Sequence, residues 1–251
     1  MGNTRSSDGT VIAYECLGSG PALVLVGGAF SDRDSARPLA GLLASGFSVH
    51  IYDRRGRGGS GDTPPYAVER EIEDLAAVIA AAGSASVFGM SSGGILSLRA
   101  AAHGVSMTRI AVYEPPFSAT ASVPAGFAAE QRARIAEGRR EEAVEAFLAA
   151  LDMSPEVIAA IRDGLGWGHL VGLAHTLPYE AAIVGTGAVP DLSGVSAPVL
   201  VVDGAASPAS MRAAARAVAD ALPDASAVGL PGQTHNVDVG VLAPVLRDFF
   251  A

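Results

Sequence analysis

Residues 89–93 read Gly89-Met90-Ser91-Ser92-Gly93, a G-x-S-x-G pentapeptide. It lies between a short β-prone run, Ala85-Ser86-Val87-Phe88, and a run of helix formers that begins at Ile95. A strand that turns directly into a helix holds its middle residue in a strained, exposed conformation. The residues two before and two after it must then be very small, because side chains there would collide. Gly89 and Gly93 meet that demand, and Gly94 lets the helix start pack close to the sheet. The arrangement presents Ser91 as a nucleophile at the carboxyl end of a central strand. A serine hydroxyl attacks well only when a base takes its proton, so a histidine is needed elsewhere in the chain. Gly232-Gln233-Thr234-His235-Asn236 supplies one, in a loop between the last expected strand and the terminal helix. The other histidines are worse placed: His50 inside a strand, His103 on the helix after the pentapeptide, and His169 and His175 in a helical stretch.

The remainder of the chain reads as the scaffold for these residues. Strands are expected at 11–16, 22–26, 48–52, 86–88, 109–113, 198–202 and 225–230. Helices are expected at 69–82, after Gly93, and at 209–222 and 239–250. Gly18-Ser19-Gly20-Pro21 between the first two runs signals a turn and predicts a hairpin. Strands alternating with helices predict an α/β fold, a mostly parallel sheet flanked by helices on both faces. The stretch 117–190 breaks the alternation, being rich in Ala, Glu and Arg with no convincing strand. It is expected to form a helical cap insertion over the carboxyl ends of the strands, where open α/β sheets bind ligands. The core would then comprise residues 1–116 and 191–251.

Composition narrows the function classes. A chain of 251 residues, 49% hydrophobic, can bury a full core. The net charge of −9 argues against nucleic acid, which needs a basic face. A single cysteine, Cys16, excludes an internal disulfide framework and a cysteine-rich metal site. No H-E-x-x-H spacing, Walker motif or G-x-G-x-x-G fingerprint after the first strand is present, so neither a metal nor a cofactor is expected. All 17 basic residues are arginine and alanine is abundant, a composition that resembles the codon bias of a GC-rich bacterium. Residues 1–6 formally fit a myristoylation pattern without a polybasic patch to support it. No apolar stretch approaches the ~20 residues of a membrane span, and a soluble cytoplasmic protein is expected.

Taken together, the Gly27-Gly28 turn, the run Tyr52-Asp53-Arg54-Arg55-Gly56-Arg57-Gly58-Gly59-Ser60, the pentapeptide and the late His235 resemble the α/β-hydrolase fold over essentially the whole chain. In that family an oxyanion hole is formed by the N–H after the nucleophile and one from the loop after an early strand. The resemblance assigns these to Ser92 and Ala29, with Phe30 the near alternative. It also implies an acid in a Gly-x-x-Asp loop after the penultimate strand, but Asp203-Gly204-Ala205-Ala206-Ser207 puts a serine there. Some haloalkane dehalogenases and lactone-cleaving members instead take the acid from the end of the strand after the elbow. That position is Glu114 here, followed by Pro115-Pro116, and Asp203 is the alternative. Asp53 is expected to organise its turn, with Arg54, Arg55 and Arg57 as its partners or solvated.

The implied function is a serine hydrolase acting on an ester or lactone of a hydrophobic small molecule. Phe30, Met90, Phe117, Trp167, His169 and His175 are the candidate pocket residues. The rivals are a C–C hydrolase or perhydrolase on the same fold and, because the loop acid is missing, a ligand binder or biosynthetic tailoring protein with little or no hydrolytic activity. Ser91 argues against epoxide hydrolases and haloalkane dehalogenases, which use an aspartate nucleophile. The sequence leaves the oligomeric state open.

Overall fold

The computed structural model describes residues 1–117 and 126–251. Eight strands form one sheet: β1 (Gly2–Arg5), β2 (Val11–Leu17), β3 (Ala22–Val26), β4 (Ser48–Tyr52), β5 (Ala85–Met90), β6 (Ile110–Tyr113), β7 (Val199–Gly204) and β8 (Ala225–Leu230). Their order is β1-β2-β4-β3-β5-β6-β7-β8. From β4 onward every pairing is parallel, while β1–β2 and β2–β4 are antiparallel. Both faces of the central parallel strands are covered, which is why β3 and β6 are apolar along their whole length instead of alternating with polar residues.

Alternation along a strand assigns each face its own core. Leu23 and Leu25 of β3 pack with α1 (Arg33–Leu43) and α10 (Val239–Phe250), through Leu39, Leu43, Leu242 and Leu246. Val24 and Val26 face α2 (Val68–Ala82), α3 (Ser92–Ala102) and α9 (Ala209–Asp220), through Leu75, Val78, Ile95, Leu98 and Val218.

The expected hairpin between the first two runs does not form. β4 inserts between β2 and β3, and Gly18 and Gly20, both with positive φ, instead press the connecting turn against the backbone at Ala44–Phe47. A Cβ on Gly18 would stand 2.3 Å from the Ala44 carbonyl oxygen. The true hairpin joins β1 to β2 around Asp8-Gly9, where the Asp8 side chain accepts the Thr10 N–H at 2.9 Å. Helix α1 is also additional to the sequence expectation. Asp32 caps it reciprocally with Ser35, a short-range signal obscured by Pro38 inside the helix.

Between β6 and β7 the described residues form helices and no strand beyond a single bridge residue, Ala188: α4 (Phe127–Ala136), α5 (Arg140–Ala150), α6 (Pro155–Arg162), α7 (Trp167–Leu173), a 3₁₀ turn (Ala174–Thr176) and α8 (Leu177–Val184). Residues 118–125 of the expected insertion lie outside the described residues. These helices have a small apolar cluster of their own, Ala143, Val144, Leu148, Ala174 and Leu177, against which Phe30 and Trp167 pack. The helices meet the loops after β3 and β4 at Phe30–Phe147, His169–Phe30 and His175–Gly56. Among the described residues no helix is long and apolar enough to cross a membrane.

Candidate active site

The turn from β5 to α3 is built on missing side chains. A Cβ on Gly89 would lie 2.5 Å from the Gly93 carbonyl oxygen, and one on Gly93 2.3 Å from that of Val26. These are backbone atoms that cannot swing aside, so both positions must be glycine. Ser91 between them has φ 54° and ψ −125°, and its N–H donates to the Tyr113 carbonyl at 2.9 Å. Four non-glycine residues among those described have positive φ, and three of them are Phe30, Ser91 and Glu114. Backbone strain of this kind persists only where the surroundings over-determine it. Here it gathers at three of the residues to which sequence assigns chemistry.

The loop after β3 comes up against Ser91 because Gly28 has no side chain. A Cβ there would lie 3.0 Å from Ser91 Cβ and 3.0 Å from the Met90 carbonyl oxygen. Ser92 is the first residue of α3, where N–H groups have no intrahelical acceptor. Among the described residues no backbone hydrogen bond uses the N–H of Ala29, Phe30 or Ser92. The N–H groups of Ala29, Phe30 and Ser92 are thus left without a backbone acceptor in the two turns that meet at Ser91.

His235 Nδ1 lies 2.8 Å from Glu114 Oε2, and Glu114 Oε1 accepts the Gly204 N–H at 2.9 Å. Glu114 stands at the carboxyl end of β6 with its side chain 1% exposed, whereas His235 keeps a third of its surface open. Burial works to raise the Glu114 carboxyl, but hydrogen bonding from His235 and the Gly204 N–H outweighs it and leaves the pKa lowered. The histidine loop is held close by Tyr113, whose hydroxyl donates to the Thr234 carbonyl at 2.6 Å. It is also held by Gly204, where a Cβ would lie 2.4 Å from the Gln233 carbonyl oxygen. Asp203 is half-buried and points toward Gly229 on β8. Burial first, and then the Glu114 charge, raise its pKa. The structure therefore pairs His235 with Glu114 and not with Asp203. Among the described residues no hydrogen bond joins Ser91 Oγ to His235, and in unliganded enzymes such bonds are often long.

The candidate pocket residues separate. Met90 lines a cavity of about 290 Å³ with Gly28, Ser31, Leu39, Asn236 and Val237. Phe117, four residues beyond the end of β6, is instead sealed in the core on the α3 face. Phe30 and Trp167 belong to the apolar cluster of the helical segment. His169 and His175 are spent on backbone carbonyls, at 3.0 Å from Phe30 O and 2.7 Å from Gly56 O.

The turn after β4 departs from expectation. Asp53 is structural in its contacts, accepting the N–H of Arg33 and of Gly59 at 2.8 Å each. Arg54, Arg55 and Arg57 are neither its partners nor solvated: all three are buried. Arg54 makes a two-pronged pair with Glu71 at 2.7 and 2.8 Å, and Arg55 one with Asp74 at 2.7 Å for each arm. Arg57 pairs with Glu180 of α8. Carboxylates 17, 19 and 123 residues away lie beyond any local sequence pattern. Among the described residues no cluster of His, Cys, Asp or Glu is arranged to hold a metal ion.

Comparison with known proteins bears on the family and the fold. A crystal structure of an alpha/beta hydrolase from Sphaerobacter thermophilus is 50% identical, with a TM-score of 0.95 and 100% of each chain covered. The 2-(acetamidomethylene)succinate hydrolase of Mesorhizobium japonicum is 30% identical over 88% of this chain and 84% of its own length. An uncharacterized hydrolase of Bacillus subtilis, YraK, is 37% identical over 100 residues, a match spanning 38% of this chain and 37% of that protein. The family and these relatives support hydrolase activity. The model of the alpha/beta hydrolase family matches residues 23–245, and the chain belongs to that family.

Proposed function

We propose that the protein is a serine hydrolase cleaving an ester or lactone of a hydrophobic small molecule through an acyl-enzyme. The observation that carries this reading is the buried Glu114 bonded to His235 beside the strained Ser91. Ser91 Oγ attacks the substrate carbonyl while His235 Nε2 takes its proton. Glu114 Oε2 holds the proton on Nδ1, fixes the tautomer and offsets the imidazolium charge. The Ser92 and Ala29 N–H groups receive the oxyanion, each worth ~3 kcal/mol in comparable sites. His235 returns its proton to the departing alcohol oxygen, then deprotonates a water that attacks the acyl carbonyl and frees Ser91.

The missing loop aspartate is the ground for a non-catalytic reading, and an acid supplied from β6 weakens it. The apolar character of the substrate is supported by the apolar cluster of the helical segment, against which Phe30 of the loop after β3 packs edge-on to Phe147. A fluorophosphonate probe tests the nucleophile directly: labelling of the wild type at Ser91, absent in Ser91→Ala, is expected. An unlabelled wild type, together with no turnover of p-nitrophenyl esters or lactones of graded chain length, would overturn the reading.

A further inference from the structure

The mechanism leaves several buried charges unused, Arg57 among them. Arg57 sits in the turn after β4 with its side chain 1% exposed. Its Nη1 donates to two carbonyls of the loop after β3, Gly28 O at 2.6 Å and Ser31 O at 2.9 Å, and its Nη2 donates to Glu180 Oε1. Arg54 adds a third anchor, donating to Gly27 O at 3.2 Å and lying 3.0 Å from the same Glu180 oxygen.

The Gly28 carbonyl and the Ala29 N–H belong to one planar peptide unit. Fixing that carbonyl fixes the direction of the N–H, and a guanidinium on the oxygen draws electron density from the nitrogen, which strengthens the donor. The two carbonyls held by Arg57 flank Phe30, whose φ of 57° marks a strained loop that would relax if released. One planar fork can reach both carbonyls and a carboxylate, which an ammonium cannot do with fixed geometry. The counter-charge comes from α8, so the helical segment must dock for the fork to be held.

We propose that Arg57 is a positioning residue of the oxyanion hole, acting through the Gly28–Ala29 peptide, and that Glu180 links its placement to docking of the helical segment. This rests on the reading of the protein as a serine hydrolase.

The test compares Arg57→Lys, Arg57→Met and the double variant Arg57→Met/Glu180→Gln. The readouts are kcat and KM for p-nitrophenyl butyrate, affinity for a trifluoromethyl ketone and Tm. The ketone adds to the serine as a tetrahedral oxyanion, so its affinity reports the hole. Removing a direct oxyanion donor costs about 10²–10³ in kcat, so misdirecting one is expected to cost about 10- to 100-fold with KM within about threefold. Ketone affinity should fall by a similar factor. The double variant removes one buried charge of each sign, restoring balance without restoring the donor to Gly28. It is expected to recover Tm but not kcat. Arg57→Lys keeps the charge and is expected to fold, with kcat about tenfold down.

Recovery of kcat in the double variant, or an Arg57→Lys enzyme with wild-type kcat and ketone affinity, overturns the proposal and reduces Arg57 to a structural ion pair. Failure of the serine-hydrolase reading shows separately, as a wild type that the fluorophosphonate does not label.

Discussion

Glu114→Gln is the most informative single change, because the structure dictates which way the new amide faces. Glu114 Oε1 accepts the Gly204 N–H at 2.9 Å, and Oε2 faces His235 Nδ1 at 2.8 Å. A glutamine keeps its carbonyl oxygen on Gly204, since the alternative sets an NH₂ against a buried N–H. Its NH₂ then points at His235 Nδ1 and donates, driving the ring proton to Nε2. A ring protonated there cannot accept the Ser91 proton. The same amide replacement in a serine triad lowers kcat about 10⁴-fold, which is ~5.5 kcal/mol of transition-state stabilisation. The fold is expected to lose little, because the Gly204 bond persists and no cavity opens. The assay is kcat on p-nitrophenyl butyrate beside Tm by calorimetry, with Asp203→Asn as the comparison. Asp203 faces Gly229, and burial and the Glu114 charge disfavour its ionised form, so Asn there should leave kcat within about threefold and cost no Tm. A Glu114→Gln enzyme within tenfold of wild type, or a folded but inactive Asp203→Asn, would refute the tautomer argument and return the acid to β7.

Further expectations follow from the same contacts. Ser91→Ala should fold and bind ligand with less than about a hundredth of wild-type kcat, and a higher residual rate in purified protein would exclude nucleophilic catalysis by Ser91. Gly93→Ala places a methyl 2.3 Å from the Val26 carbonyl oxygen and should cost at least ~1–3 kcal/mol in urea unfolding. Gly41→Ala, in α1 with nothing within 4 Å of its Cβ, should gain ~0.5–1 kcal/mol; equal effects of the two would contradict the packing argument. Burial works to raise the Asp8 carboxyl, but the Thr10 hydroxyl and N–H and the Arg55 guanidinium hold it at about 2. The unfolded value is ~3.9, so this stabilisation is complete above that pH and lost as pH falls through about 2. The Tm difference between wild type and Asp8→Asn should therefore shrink between pH 4 and 2, and a constant difference would contradict the assignment.

The elbow is legible in sequence because its requirement is local. Two glycines at fixed offsets record backbone contacts made across a single turn. The α/β alternation is legible for the same reason, since each buried strand is a continuous apolar run. The partner of His235 is less so. Sequence favours Glu114 and keeps Asp203 as the alternative, because the choice depends on whether β6 or β7 ends beneath the histidine loop. The Gly18–Pro21 turn misleads because glycines with positive φ serve a close crossing as well as a hairpin. Phe117 shows the limit for pocket residues: an aromatic beside a candidate acid can face the core as readily as a ligand.

The three buried arginines show why their placement is a question about the site and not about stability alone. Taking an ion pair out of water costs several kcal/mol per ion, and apolar side chains of similar size often replace such pairs without loss. Arg55 meets Asp74, Asp8 and the Arg70 carbonyl, and none of these belongs to the loop after β3. It ties the turn after β4 to α2 and to the β1–β2 hairpin. Arg54 and Arg57 share its neighbourhood and its burial, yet both also donate to carbonyls of residues 27–31. An apolar replacement could fill their volume but could not hold those carbonyls. The loop is strained at Phe30 and carries the Ala29 N–H, so a fixed fork there does what packing cannot. Of the three, Arg57 alone grips the Gly28–Ala29 peptide, and the charge that keeps it in place comes from the helical segment against which Phe30 packs.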